Sequence, residues 1–307
     1  MTIDITDFEI RPIRKKRHSL VWRTRLYLQA AAASALPGFA AGRLDRLNST
    51  LRLEGTDHLK GQDVILVACD PAYFRRYALS FIKSLALIGK AFCVHLHLLQ
   101  PDQTVLDEVD RLRRLYRTIR LSTTIDPLDG LDLPRRLNIY YNAARFVGAP
   151  RLLDLGVERL LILDIDTIAR SCPWETLDAV TAQAAFNFRP HKAKPWQKII
   201  ANAVYYRNTP LSRDFAGRLA RVLLAGLAAG PHYHLDQILP HYLLQIGARS
   251  FAAGIASVPA DLISLDYAED ASLWTAKGAD KASARFLAER ARIDAMALPA
   301  ANGRQRA

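Results

Sequence analysis

From residue 62 onward, short continuous apolar runs alternate with longer stretches whose apolar residues recur at helical spacing. Val64-Ile65-Leu66-Val67-Ala68-Cys69 reads as a buried strand. Asp70-Pro71 then sets a capping side chain directly before a proline, a helix-start signal. Tyr73, Tyr77, Leu79, Phe81, Ile82 and Leu85 give the predicted helix its apolar pattern, and Gly89 ends it. Phe92, Val94, Leu96 and Leu98 alternate with Cys93, His95, His97 and Leu99, a second strand whose two histidines are expected on the sheet surface. A helix from Thr104 to about Tyr116, a short strand at Thr118 to Leu121 and a polar loop from Asp126 to Pro134 follow. Asn138 to Leu153 is a further helix, leading into Leu160-Leu161-Ile162-Leu163, an apolar run that ends in Asp164-Ile165-Asp166. This β-α-β-α-β alternation predicts an α/β fold, a Rossmann-like, mostly parallel sheet with helices on its faces.

Beyond Asp166 the pattern predicts a helix over Pro173 to Val180, a strand over Ala184 to Phe188 and a basic loop from His191 to Trp196. A strand at Ala203 to Arg207, helices at Ser212 to Ala229 and Leu235 to Ile246, and weak strands near Ala256 to Val258 and Leu262 to Leu265 complete it. Residues 61–290 are thus expected to form the α/β domain, residues 1–60 a basic N-terminal helical appendage and residues 291–307 a flexible tail. Within the appendage, Arg11 to Arg25 interleaves basic residues with Leu20, Val21 and Trp22. A helix there suits an anionic bilayer surface and equally suits packing on the main domain. Leu26 to Gly42 has no charged residue and imitates a signal peptide, but Gln29, the alanine run and Pro37-Gly38 interrupt it. It is also too short and too weakly apolar for a membrane span.

The chain has 307 residues and a formal net charge of +12. The excess is concentrated in Arg11 to Arg25 and Arg111 to Arg120, which favours polyanionic partners: nucleic acid, an anionic membrane face or phosphorylated substrates. The cysteines, Cys69, Cys93 and Cys172, show neither a disulfide framework nor zinc spacing. That fits a reducing, cytoplasmic setting, with peripheral attachment at the inner membrane face through the basic N-terminus.

No Walker loop, Gly-x-Ser-x-Gly elbow, His-Glu-x-x-His or Gly-x-Gly-x-x-Gly occurs, which removes several enzyme classes. What remains is a set of polar residues near strand ends: Asp70, the Asp164/Asp166 pair, Asn202, Asp236-Gln237 and Gly278-x-x-Lys281. Two acids one residue apart at the carboxyl end of a strand suit a divalent cation whose other ligands are phosphate oxygens, and equally suit a solvated turn.

In order, these motifs resemble family 8 glycosyltransferases, the glycogenin-like and lipopolysaccharide-galactosyltransferase-like group. Ala68-Cys69-Asp70-Pro71-Ala72-Tyr73 is similar to the family's opening, Tyr141 to Phe146 to its arginine helix and Leu161 to Asp166 to its Asp-x-Asp strand. Asn202 to Thr209 resembles its Asn-Ala-Gly strand, Leu235 to Leu239 its Asp-Gln helix and Gly278-x-x-Lys281 its closing motif. The resemblance spans about residues 62 to 287 and implies a GT-A fold and retaining sugar transfer from a nucleotide sugar, usually with manganese. It assigns Asp70 and Tyr73 to the nucleobase pocket and Arg145 to the phosphates or to steadying the Asp-x-Asp loop. Asp164 and Asp166 would hold Mn2+ (or Mg2+), Asn202, Asp236 and Gln237 would line the reaction centre, and Gly278 and Lys281 would close on the diphosphate.

Three positions depart from the family pattern. Thr275 stands where a histidine would complete the metal site, leaving His191, His232 or His234 as substitutes. Val204 replaces the glycine of the Asn-Ala-Gly strand and is expected to narrow the space beside the sugar; Ala72 replaces an asparagine. Lys194-Pro195-Trp196 mimics the family's terminal Lys-Pro-Trp but stands before the Asn-Ala strand. The expected reaction is transfer of a hexose from a UDP-sugar to a glycan, lipopolysaccharide or polysaccharide acceptor, with no nucleic-acid partner. A different nucleotide-dependent transferase, or a degenerate nucleotide- or nucleic-acid-binding module, is the competing expectation.

Overall fold

Strands buried along nearly their whole length lie inside a sheet covered on both faces, and this chain supplies several. The computed structural model describes residues 18–36, 38–129, 137–230, 233–251 and 253–297. The first half runs α1 (Leu20–Ala35), α2 (Ala41–Thr50), β1 (Arg52–Glu54), β2 (Asp63–Cys69) and α3 (Pro71–Tyr73). A π turn, Phe74–Ala78, continues α3 into α4 (Leu79–Leu87), followed by β3 (Phe92–Leu99), α5 (Gln103–Leu115), β4 (Ile119–Asp126), α6 (Leu137–Asp154) and β5 (Arg159–Asp164). The second half comprises β6 (Thr167–Ala169), α7 (Pro173–Leu177), β7 (Ala184–Phe188), β8 (Ile199–Arg207), α8 (Pro210–Ala228) and α9 (Leu235–Ile246). It ends with α10 (Ala248–Phe251), β9 (Ile255–Ser257), β10 (Ile263–Ser264), β11 (Leu273–Thr275) and α11 (Ala284–Ala295).

The main sheet has the order β1-β4-β3-β2-β5-β8-β7-β9. Strands β4, β3, β2 and β5 are parallel, as the alternation predicted. The sheet as a whole is mixed rather than mostly parallel: on one side β8 runs antiparallel to both β5 and β7, and at the opposite edge β1 runs antiparallel to β4. The loop between β7 and β8, residues 189–198, is too short for a crossover, so β8 must return antiparallel. β2, β3 and β4 wind outward in one direction, and α6 then carries the chain back to the other side of β2. That reversal opens a crevice at the carboxyl ends of β2 and β5.

One sheet face packs Leu66, Ile162 and Val204 against α1, α6, α8 and α9. The opposite face packs Val67, Leu161 and Leu163 against α4, α5, α11 and a three-stranded sheet, β10-β11-β6. Residues 18–54, expected in an appendage, join this core directly. Trp22, Leu26, Ala30 and Ala33 of α1 are buried in the first layer, Leu47 of α2 is fully buried, and β1 extends the sheet. At the other end α11 continues past residue 290, where Ser80 Oγ donates to Asp294 Oδ1 at 2.9 Å. Residues 1–17, the loop 130–136, His232 and the expected tail beyond residue 297 lie outside the described residues.

His95 and His97 correct the surface expectation, since each is 1% exposed. His95 Nδ1 lies 2.8 Å from Ser122 Oγ and Nε2 lies 2.7 Å from Thr124 Oγ1. These polar partners explain why β4 extends to Asp126 although its sequence turns polar after Leu121. His97 Nε2 is 3.1 Å from Asp126 Oδ2, to which Tyr140 Oη donates at 2.5 Å, while the Leu128 amide donates to Oδ1 at 2.8 Å. Burial alone would raise the Asp126 carboxyl, but these donors hold it below its ordinary value. Gly148 of α6 permits the close approach, because a Cβ there would stand 2.9 Å from His97 Nδ1.

Asp126 thus ties β3, β4 and α6 together. Replacing Asp126 with Ala leaves His97 and Tyr140 buried without their shared acceptor, and is expected to lower unfolding free energy by about 3 kcal/mol. Urea denaturation followed by circular dichroism measures this; a loss below about 1 kcal/mol refutes the linkage.

Candidate functional site

The crevice opened by the topology is a cleft of about 540 Å³. Asp70, Tyr73, Arg145, Asp164, Asp166, Asn202, Asp236, Gln237, Gly278 and Lys281 all line it. Six segments widely separated in sequence therefore meet at one place.

Asp70 follows β2, and its Oδ1 accepts from the Tyr73 amide at 2.8 Å, which caps α3 and sets the half-exposed Tyr73 ring on the rim. Asp164 ends β5 beside Ala68 of β2. The chain then turns through Asp166 into β6, which pairs antiparallel with β11 so that Thr275 stands opposite Thr167. This small sheet brings the closing segment to the Asp-x-Asp turn. Gly278 follows at φ +58°, a left-handed conformation that costs glycine little, and the turn it opens carries Lys281.

Arg145, 4% exposed, is the central cation. Its Nη1 lies 2.8 Å from Asp164 Oδ1, and its Nη2 donates to the Ala201 carbonyl at 2.8 Å and stands 3.9 Å from Asp236 Oδ2. Lys281 Nζ pairs with Asp166 Oδ2, donates to Tyr73 Oη at 3.2 Å and sits 4.7 Å from the centre of the Tyr73 ring. Each acid of the Asp-x-Asp pair therefore has its own protein cation.

Burial, reinforced by the Asp164 charge, pushes the Asp166 carboxyl up to about 6 against the pull of Lys281. Burial likewise raises Asp236 to about 6, opposed by Arg145. Burial would lower Lys281, but the Asp166 charge outweighs it and the ammonium is held above its ordinary value. Asp166 Oδ1 and Asn202 Nδ2 are buried without a partner among the described residues, atoms that a bound polar molecule would satisfy. Asn202 Oδ1 accepts from Asn187 Nδ2 at 3.1 Å. In the amide orientation that gives both its atoms partners, Gln237 donates to the Trp196 and Ile199 carbonyls at 2.9 and 3.3 Å. Its nitrogen thus anchors the 195–199 segment to α9.

Among the described residues no three His, Cys, Asp or Glu side chains gather as a metal site. Thr275 lines the cleft, but none of the described histidines takes over as a ligand there: His191 is exposed off the cleft, and His234 Nδ1 lies 3.3 Å from His18 Nε2. The donor set fits an ion that uses one or two carboxylates and completes its shell with phosphate oxygens and water, and does not fit an all-protein cage. Val204 corrects another expectation, since it is buried in the core opposite Ile162 and Phe186 and is not part of the cleft lining. Lys194-Pro195-Trp196 forms a short turn with the Trp196 ring 4.6 Å from His18, apart from the closing segment. Asn138, Tyr141 and Asn142 also line the cleft, and their three-to-four spacing with Arg145 on α6 was readable from the sequence. Lys277 and Tyr233 join them without such a signal.

No family model matches the sequence, and no curated protein matches it. Solved structures do share its fold. The glycosyltransferase GlyE of Streptococcus pneumoniae TIGR4 superposes with a TM-score of 0.53 at 12% identity, over 77% of this chain and 62% of GlyE. This chain thus spans less than two thirds of GlyE's length. The galactosyltransferase LgtC, solved with donor and acceptor sugar analogues, gives a TM-score of 0.50 at 12% identity, over 75% of this chain and 95% of LgtC. The bifunctional glycosyltransferase WbbM gives 0.50 at 12% identity, over 71% and 46%. The chain has the GT-A-like glycosyltransferase fold, a mixed central sheet flanked by helices.

The raised Asp236 carboxyl has a stability consequence. Between its ordinary value of 3.8 and about 6 the folded state binds more protons than the unfolded state, so stability falls as pH rises through that window and stays reduced above it. Asp236→Asn removes the buried charge, and is expected to raise stability at pH 7.5 by about 2 kcal/mol, a gain that shrinks as pH falls through the window towards 3.8. Thermal melts across pH 4.5–8 read this; equal melting temperatures at pH 7.5 contradict it.

Proposed function

We infer that the protein transfers a sugar from a nucleoside diphosphate sugar to a glycan acceptor of the lipopolysaccharide or polysaccharide type, with UDP as the nucleotide, a hexose as the sugar and retention at the anomeric carbon. The observation that carries this reading is the meeting of two acids, each paired with a cation of the chain, at the carboxyl ends of β2 and β5. Departure of a nucleoside diphosphate concentrates negative charge, and preorganised cations stabilise it more in the transition state than in the ground state.

In this proposal Lys281 moves its ammonium from Asp166 to the leaving diphosphate, with Lys277 beside it on the same segment. Arg145, in the cleft wall, steadies Asp164 and the β8 backbone from beneath the phosphate site. Asp70 and Tyr73, beside Lys281 at the carboxyl end of β2, hold the base. A manganese or magnesium ion held by Asp164 and Asp166 would supply Lewis-acid stabilisation of the diphosphate. Asn202 and Asp236 face the sugar, where a carboxylate stabilises an oxocarbenium-like centre; Gln237 contributes by fixing the wall.

A second reading, a nucleotide-binding module that works without metal, is favoured by Thr275 and by the Lys281–Asp166 pair. Calorimetry of UDP, with GDP as comparator, in manganese and in chelator separates the two. The expected result is UDP binding that manganese tightens at least about tenfold, a gain that Asp166→Ala abolishes, while Lys281→Ala weakens UDP about thirtyfold or more in either condition. UDP binding indifferent to manganese and to Asp166→Ala selects the metal-free reading; absence of nucleotide binding refutes sugar transfer.

A further inference from the structure

Helix α1 buries Trp22, Leu26, Ala30 and Ala33 against the domain. A surface helix normally turns a polar face outward. Here the outward face carries Leu20, Val21, Tyr27, Leu28 and, just past the helix end, Leu36, exposed by 70, 80, 43, 62 and 58%. These are five of the ten large apolar side chains exposed among the described residues, gathered on one element. Thr24 and Arg25 are the polar residues exposed among them. A solvated helix does not require such a face; its clustering marks a docking surface.

Charge identifies what docks. From Ile10 to Leu44 the chain carries eight Lys or Arg residues and no Asp or Glu. Arg25 and Arg43 line a groove of about 370 Å³ floored by Phe39, Ala225 and Ala228, and neither is in an ion pair among the described residues. Guanidinium groups over an apolar floor match a phosphate carried on an acyl chain. The apolar positions are mainly aliphatic rather than aromatic, which disfavours single-stranded nucleic acid, whose bases stack on rings. We propose that the outer face of α1, with Arg25 and Arg43, seats on an anionic lipid bilayer, the aliphatic side chains entering the interface and the arginines binding lipid phosphate.

The helix is placed to make this useful. Just before its start, His18 stands at the cleft rim, its ring 4.6 Å from Trp196 and its Nε2 3.3 Å from His234, a cleft residue. A bilayer along α1 therefore lies beside the cleft mouth, within reach of a membrane-anchored acceptor; this last consequence alone rests on the sugar-transfer reading.

Vesicle flotation of the full chain tests the surface, comparing phosphatidylcholine with vesicles containing about one-third phosphatidylglycerol at near-physiological salt. The expected result is at least about tenfold stronger binding to the anionic vesicles. The paired change Val21→Glu with Leu28→Glu is expected to lower that binding about tenfold or more with melting temperature and UDP affinity unchanged, since both side chains are exposed. Arg25→Glu with Arg43→Glu is expected to lower binding to anionic vesicles only. Wild-type binding indifferent to phosphatidylglycerol, or full binding by the Val21/Leu28 variant, overturns the proposal. Light scattering that shows a dimer lost in the Val21/Leu28 variant, without vesicle binding by wild type, also overturns it in favour of a second copy.

Discussion

The cleft depends on one buried guanidinium. Arg145 comes from the middle of α6, yet its contacts reach the end of β5 through Asp164, the start of β8 through the Ala201 carbonyl and the first turn of α9 through Asp236. A charge at 4% exposure is tolerable only with this degree of compensation, and the Phe146 ring 4.8 Å away adds a cation–π contact. Without it, Asp164 and Asp236 would face each other across the same wall with no neutralising charge. The fold on the helical side of the sheet and the electrostatics of the site are thus one problem with one solution.

Lys281 solves the matching problem for Asp166 in a different way. It approaches from a short turn after β11, retains partial exposure, and rests on Tyr73 at the cleft rim. A rigid internal cation holds one acid and a cation on a solvent-facing turn holds the other. The division separates a permanent structural charge from one available to an incoming anion.

The parallel half of the sheet is legible because β2 and β5 have continuous apolar centres, β3 alternates apolar residues, and the helices between them keep a clear period. The pattern of β4 ends at Leu121 because Ser122 and Thr124 look like loop residues until His95 is known to bond to both. The packing of α1 is hard to read because Arg11 to Arg25 dominates the local composition and suits a bilayer as well as the domain, whereas its contacts depend on four small or apolar positions spread over three turns. In the candidate site, ordered motifs singled out ten residues that the fold brings to one cleft. What the chain could not disclose was pairing: that Arg145 serves Asp164, that Lys281 serves Asp166, and that Val204 turns away from the cleft are facts about side chains from distant segments.

The antiparallel setting of β8 has a consequence for how this site can change. In a wholly parallel sheet, ligand-facing residues sit on loops past the carboxyl ends of the strands and vary without disturbing the layers beneath. Because β8 enters the sheet where β5 leaves it, Ile200, Ala201 and Asn202 wall the cleft from within a hydrogen-bonded strand whose side chains also belong to the core. One wall of the pocket is therefore sheet interior, and the rest is helix and loop. Variation in ligand preference must arise on the α6 and Gly278–Lys281 side, while the β8 wall stays under the same packing constraint as the fold itself.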